Sequence, residues 1–315
     1  MPTKYKYPFA SGEEIKKAAS QINLNIEIEN LQSSLLNAAN LFKDIISAEV
    51  YARMLAHYNS GTYDPDGTAI NDQLVQLCQI PLANLAMHDH FIWMQLNIGN
   101  NGITVVKSTN ETAAFKYQTD EAKEMLWNTA WNAVTTLIDF MEADDTAITE
   151  WDDSNQRKQL KELFFQDYRE FDQYYGIDRN AAFYVRSRFL IKETLLADIS
   201  PRVPRLDTIV DDVLLIKIKR YLAYRTIELA ISRFDVLHLP QSIRVSINNQ
   251  HTNKADDSNT IKEKLRNQIA RKADLYLTEI DSYLAAKATD PTADTSPLDD
   301  YELNSNTTQK YFNAL

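Results

Sequence analysis

The stretch "AMHDHFIWMQ", residues 86–95, sets His88, Asp89 and His90 side by side inside an apolar run. Imidazole and carboxylate groups are metal ligands, and helical zinc or di-iron sites place them three or four residues apart. The spacing here is i and i+2, which on an α-helix turns the two rings roughly 200° apart. One ion cannot be held by both. The residues three before the five histidines are Met54, Leu85, Met87, Asp235 and Asn248, so no Glu-x-x-His occurs. Asp235 and His238 come nearest, with no second pair to complete a site. The histidines read as members of a packing helix, and no metal or other cofactor is expected.

Other chemistry-bearing patterns fail on spacing as well. "DPDGTAIND" (64–72) has the acids of a calcium loop, but counted from Asp64 its sixth position is Ala69 and its twelfth Val75. Calcium loops require glycine and glutamate there, so a turn leading to a capped helix is expected. The phosphate-loop, dinucleotide and nucleophile-elbow signatures do not occur. The carboxylates of "EADDTAITEWDDS" (142–154) are adjacent only in sequence, on a segment that reads as a linker. A carboxylate pair doing acid–base work needs a pocket that separates its pKa values. The aromatic run "FFQDYREFDQYYG" reads as core with an exposed rim suited to protein contact. No catalytic residue is nominated, and the protein is expected not to be an enzyme.

Composition narrows the class further. Hydrophobic content of 44% over 315 residues is enough for a sizeable core, and 6 glycines favour long helices over turn-rich sheet. Acids outnumber bases 44 to 33, for a net charge of −11, which disfavours a protein built to grip nucleic-acid phosphate. Lys217, Lys219, Arg220 and Arg225 form a local basic group, read as a solvated helix face or a small patch. Cys78 lies alone in an apolar run and reads as a buried thiol in a reducing setting. No window approaches the roughly 18 apolar residues of a membrane span, and no apolar signal core opens the chain. An intracellular location, or a particle assembled inside a cell, is expected.

The elements that position these residues are mostly helical. An extended arm covers residues 1–11. Apolar spacing then predicts helices over 30–58, 72–98, 119–143, about 155–175, 178–198, 208–237 and 259–287. Gly176 is expected to end the fourth in a left-handed conformation. The β-branched stretches "ITVV" (103–106) and "PQSIRVSI" (240–247) read as short strands. "LANLAMHDHFIWMQLNIGNNGITV" (82–105) aligns without gaps on "LAYRTIELAISRFDVLHLPQSIRV" (222–245) at an offset of 140, each followed by a polar loop and an amphipathic helix. This order predicts an internal duplication. The expected fold class is mainly α, with two related helical lobes, each carrying a short β-strand or hairpin. Residues 1–29 form an arm and short helix, 30–176 the first lobe, 177–287 the second and 288–315 a flexible tail. Tyr5, Tyr7 and Phe9 on the arm, with Tyr311, Phe312 and Leu315 on the tail, are the candidate protein-contact residues; the tail is either a docking segment or a loose end.

The blocks "NGITVVKSTNETAAFKYQTDEAKEMLWNTAWNAVTTLIDFME", "EWDDSNQRKQLKELFFQDYREFDQYYGIDRNAAFYVRSRFLI" and "IKRYLAYRTIELAISRFDVLHLPQSIRV" together resemble an uncharacterised helical family of Bacteroidota and their phages and prophages. The resemblance spans most of residues 30–287 and carries no active-site residues. It implies a virion component such as a head–tail connector or neck-ring subunit. Its partners would be copies of itself and portal or tail proteins, without membrane or sequence-specific nucleic-acid binding. A cellular adaptor or regulator binding one protein partner is the alternative, and an enzyme with a dispersed active site the third.

Overall fold

The computed structural model describes residues 5–19, 27–91, 93–99, 102–105, 116–203, 211–249 and 258–289. The chain forms two compact units, Met1–Arg157 and Lys158–Leu315.

In the first unit the arm leads to α1 (Gly12–Ala18), then α2 (Gln32–Ile46), α3 (Ala48–Tyr58), α4 (Ile70–His90), α5 (Lys116–Glu142), α6 (Thr149–Asp152) and α7 (Asn155–Lys161), the last crossing the boundary between units. Helix α4 is the axis of the unit and packs against α1, α2, α3 and α5. Being covered on several sides, it buries Leu82 through Met87 without interruption. A surface helix would instead show a polar face every turn. Phe42, Ile46, Met54, Leu74, Cys78, Trp131 and Leu137 fill the surrounding core.

The helix expected over 30–58 is divided at Ser47, whose φ of 137° takes the backbone out of the helical region. The Ser47 hydroxyl oxygen then accepts the Val50 N–H at 3.1 Å and starts α3. This is the side-chain cap that a serine at a helix start supplies. Helix α4 stops at His90, short of the expected residue 98, and a 3-10 turn (Trp93–Gln95) follows. The acidic stretch expected as a linker is anchored to the core. Trp151 is fully buried, and its indole N–H donates to Glu142 Oε1 at 2.9 Å. Arg157 grips the same carboxylate through two hydrogen bonds of 2.8 and 3.2 Å.

The second unit contains α8 (Tyr168–Tyr174), α9 (Ala181–Thr194), α10 (Asp212–Arg233), α11 (Gln241–Asn249) and α12 (Ser258–Thr289). Helix α10 is its axis, packed on α8, α9 and α12. The single helix expected across 155–175 is instead α7 and α8, because the Asp167 carboxylate accepts the Arg169 and Glu170 N–H groups and begins a new helix. Gly176 does not take the left-handed conformation. Asp178 and Arg179 do, with φ of 59° and 50°, while Asp172 Oδ1 accepts the Ile177 and Arg179 N–H groups and closes the turn. Helix α9 runs into a π-helical turn, Leu195–Ile199, closed by Ser200 N–H donating to the Leu195 carbonyl at 2.9 Å.

The expectation of a β element in each lobe is overturned. The strand expected over 240–247 is instead helix α11, Gln241–Asn249. The Pro240 carbonyl accepts the Ile243 and Arg244 N–H groups, and Ile243 and Ile247 bury one helical face while Val245 is exposed. A strand would have put 243, 245 and 247 on one side. β-Branching favours a strand only where a sheet is present to pack on. Among the described residues of the second unit no strand occurs, and the strands of the first are a lone four-residue antiparallel pair, Leu96–Gly99 (β1) and Gly102–Val105 (β2). Among the described residues the fold is helical, without a sheet layer.

Candidate functional site

The motif that looked most like a ligand set lies at the end of α4. The His88 ring packs on Trp127 of α5 at 5.1 Å between centroids. Burial, helped by the Lys123 charge, lowers its pKa, and burial also lowers that of His90. Between them, Asp89 accepts a hydrogen bond from the Asn37 amide at 3.2 Å. His238 receives the Arg186 guanidinium on Nδ1 at 2.9 Å, while its sequence neighbour Asp235 caps the Leu237 N–H. Among the described residues, no three His, Cys, Asp or Glu side chains converge as a metal would need.

A cleft of about 640 Å³ in the first unit lies between the arm, α1, the loop after α3 and the start of α4. Tyr5, Tyr58 and Tyr63 form part of its wall. Tyr5 meets Tyr58 edge-on at 5.8 Å, and Tyr58 meets Tyr63 at 5.4 Å. The Tyr58 hydroxyl donates to Glu14 Oε2 at 2.6 Å, and Glu14 also accepts the Ala10 N–H, so arm, α1 and α3 are tied at one carboxylate. Burial and this carboxylate raise the Tyr58 pKa well above the usual phenol range. The Tyr63 hydroxyl donates to Gln79 Oε1 at 3.2 Å, and Gln79 in turn donates to the Pro8 carbonyl.

The loop that carries Tyr63 is fixed by a half-buried pair. His57 Nε2 lies 2.7 Å from Asp72 Oδ1, which also accepts the Asp64 N–H at 3.1 Å. The His57 contact, with the Asp64 amide second, holds the Asp72 carboxyl below its ordinary pKa. Gly67 accepts no side chain, because a Cβ there would lie 2.4 Å from Asp72 Oδ2. A turn closed by Gly67 N–H on the Asp64 carbonyl therefore presses directly on the carboxylate and presents Asp66 to the cleft. The acids of the "DPDG" stretch brace a loop.

The second unit has a smaller cleft of about 390 Å³ beside a ladder of tyrosines. Tyr175 and Tyr276 each stand 5.0 Å from Tyr224, Lys272 lies over Tyr224, and Arg220 lies over Tyr276. The basic group seen in sequence is divided among separate partners. Lys217 pairs with Glu279 at 3.3 Å, buried Lys219 with Glu170 at 2.5 Å, and Arg225 with Glu228 at 3.0 Å. That leaves a laced helix face rather than a phosphate-gripping patch.

Of the nominated contact residues, Tyr5 is 40% exposed and edges the first cleft. Tyr7 and Phe9 are core side chains, Phe9 only 1% exposed, because the arm folds back on its own unit instead of projecting. Tyr311, Phe312 and Leu315 lie outside the described residues. Tyr58, Tyr63 and Glu14 were not singled out from sequence. Their positions share no local pattern, and only the aromatic inside the polar loop, Tyr63, was a signal.

The sequence model of a family described as "Family of unknown function (DUF6712)" matches residues 31–160 and 181–299. No curated protein and no solved structure matches the chain. With well over half of its residues matched, the chain belongs to this family of unknown function.

Proposed function

We propose that the chain is a non-enzymatic structural protein that acts by assembly, in the class of head–tail connector or neck-ring subunits of a phage or prophage particle. Its partners are then copies of itself in a ring and adjoining portal or tail proteins. Its place is the virion, assembled in the bacterial cytoplasm. The observation that carries the assembly reading is the set of large apolar side chains turned outward from regular elements. Leu275 of α12 is 57% exposed, Trp93 55%, Met125 of α5 51% and Phe189 of α9 50%. Along α10, exposed Val213, Ile216 and Arg220 follow one another at helical spacing. Tryptophan, methionine, phenylalanine and arginine are residue types enriched at protein–protein interfaces. The sequence resemblance supports the phage setting. The ligand-sized cleft of the first unit favours a second reading, an adaptor that binds one partner.

Mass measurement of the full chain by sedimentation and native mass spectrometry over a range of concentrations tests the proposal. A closed ring of several copies, or incorporation into particles, supports it. A monomer at every concentration that never enters a particle overturns it. A one-to-one complex with a single cellular protein would establish the adaptor instead.

A further inference from the structure

The first unit's cleft has a composition that points to a ligand class. We propose that it binds an alkylammonium group, held against the rings of Tyr5, Tyr58 and Tyr63 with the Asp66 and Glu14 carboxylates as counter-charges. An aromatic ring attracts a cation through the negative face of its quadrupole, and cages of several rings are the recurring means of holding organic ammonium ions. Three rings in sequence, at 5.8 and 5.4 Å between centroids, supply such a wall in a recess of about 640 Å³. That volume falls in the range of small-molecule sites.

The charges agree with the rings. Glu14 is pinned by the Tyr58 hydroxyl and the Ala10 amide, and its carboxylate lines the cleft. Asp66 stands at the tip of the turn whose backbone is fixed by the Asp64 carboxylate and by the crowding of Gly67 on Asp72. Asp64 and Asp72 lie behind that turn, so four carboxylates act on Tyr63. Burial first, then Glu14, Asp72, Asp64 and Asp66, push its phenol up to about 12. The part of this shift that comes from the four carboxylates is a negative field, and that field favours a cation at the same place. Lys17 is the base in the lining, and it is an exposed side chain whose ammonium can stay in solvent.

The ammonium can come from a free polyamine or from a lysine side chain of another protein. The test is titration calorimetry of the full chain, at low and at physiological salt, with spermidine, with Nα-acetyl-lysine amide and with Ca²⁺. Binding of spermidine alone identifies a free cation as the source; binding of the lysine amide identifies a protein side chain. Replacing the ring, Tyr63→Leu, should weaken binding about tenfold, whereas Tyr63→Phe should stay within about twofold. Asp66→Asn, at an exposed turn tip, should weaken binding about fivefold at low salt without lowering the melting temperature. Lys17→Ala should tighten binding about twofold. The proposal is overturned if neither ammonium probe binds, if Tyr63→Leu and Asp66→Asn bind as the unaltered chain does, or if Ca²⁺ displaces the ammonium probes. None of these outcomes bears on ring formation, so the two proposals stand or fall separately.

Discussion

Ser47 carries two opposed contributions at one residue. Its φ of 137° lies where an L side chain is strained, by about 1–3 kcal/mol, while its hydroxyl caps α3 at 3.1 Å. Ser47→Ala removes the cap and keeps the strain, so it should cost about 1 kcal/mol in thermal denaturation. Ser47→Gly loses the same cap but frees the backbone and should melt above the alanine variant. The reverse order would show that backbone strain is not what limits this position. Asp72 is the second informative residue. Its folded pKa is depressed by His57 and the Asp64 amide, so it contributes stability above its unfolded value, about 3.9, that is lost as pH falls through the folded value. Asp72→Asn should therefore be less stable at neutral pH and show a flatter acid limb than the unaltered chain. Equal acid limbs in parallel melting series would refute the role assigned to the pair.

At the scale of elements, α11 is where local preference and tertiary packing disagreed. "QSIRVSINN" has the β-branched residues of a strand, and Pro240 is equally compatible with a strand start or a helix start. Burial of Ile243 and Ile247, four residues apart, settled the period, since α11 packs on α12 and has no strand beside it among the described residues. Ile247→Ala should cost about 2–4 kcal/mol by leaving a cavity, whereas Val245→Ala, at an exposed position, should stay within about 0.5 kcal/mol. Similar costs at both positions would mean that they share one buried face, as in a strand. The axes of the two units are built alike. From Ile70 to Asp212, the starts of α4 and α10, is 142 residues, as it is from Lys116 to Ser258, the starts of α5 and α12. Each axis packs on the helix before it and the long helix after it, while the connections differ, a ribbon in one unit and α11 in the other.

At the scale of the whole molecule, a net charge of −11 coexists with bulky apolar side chains left on helix surfaces. Like charge keeps copies apart until apolar contacts compensate, so assembly should strengthen with added salt, which screens the repulsion. Leu275→Glu and Phe189→Glu should each shift the mass distribution toward single chains. Their melting temperatures should stay nearly unchanged, because neither side chain fills the core. Unaltered assembly in both variants would remove these residues from any interface. No helix among the described residues is long and apolar enough to cross a membrane.

How much could be read from the residue order follows the range of the interactions. The i,i+2 spacing of His88 and His90 excluded a shared ion on local geometry, and the structure puts one ring on Trp127 and the intervening carboxylate on Asn37. The amphipathic stretches of α4, α5, α10 and α12 were legible because helical periodicity is a property of neighbouring residues. Gly176 and the 30–58 helix were misread because an Asp172 cap and an inward-turned Ser47 are decided by the backbone around them. The arm reads from sequence as an extended segment offering Tyr7 and Phe9 for protein contact, yet both are core residues, since their burial depends on contacts with helices far along the chain. The cleft was invisible for the same reason: Tyr5, Glu14, Tyr58, Tyr63 and Gln79 meet only when the arm, α1, α3 and α4 have packed. Sequence determined the long amphipathic helices α4, α5, α10 and α12, because helical periodicity rests on bond geometry and short spacing. Tertiary structure alone decided which side chains share a cavity, because only packing brings distant residues within reach of one ligand.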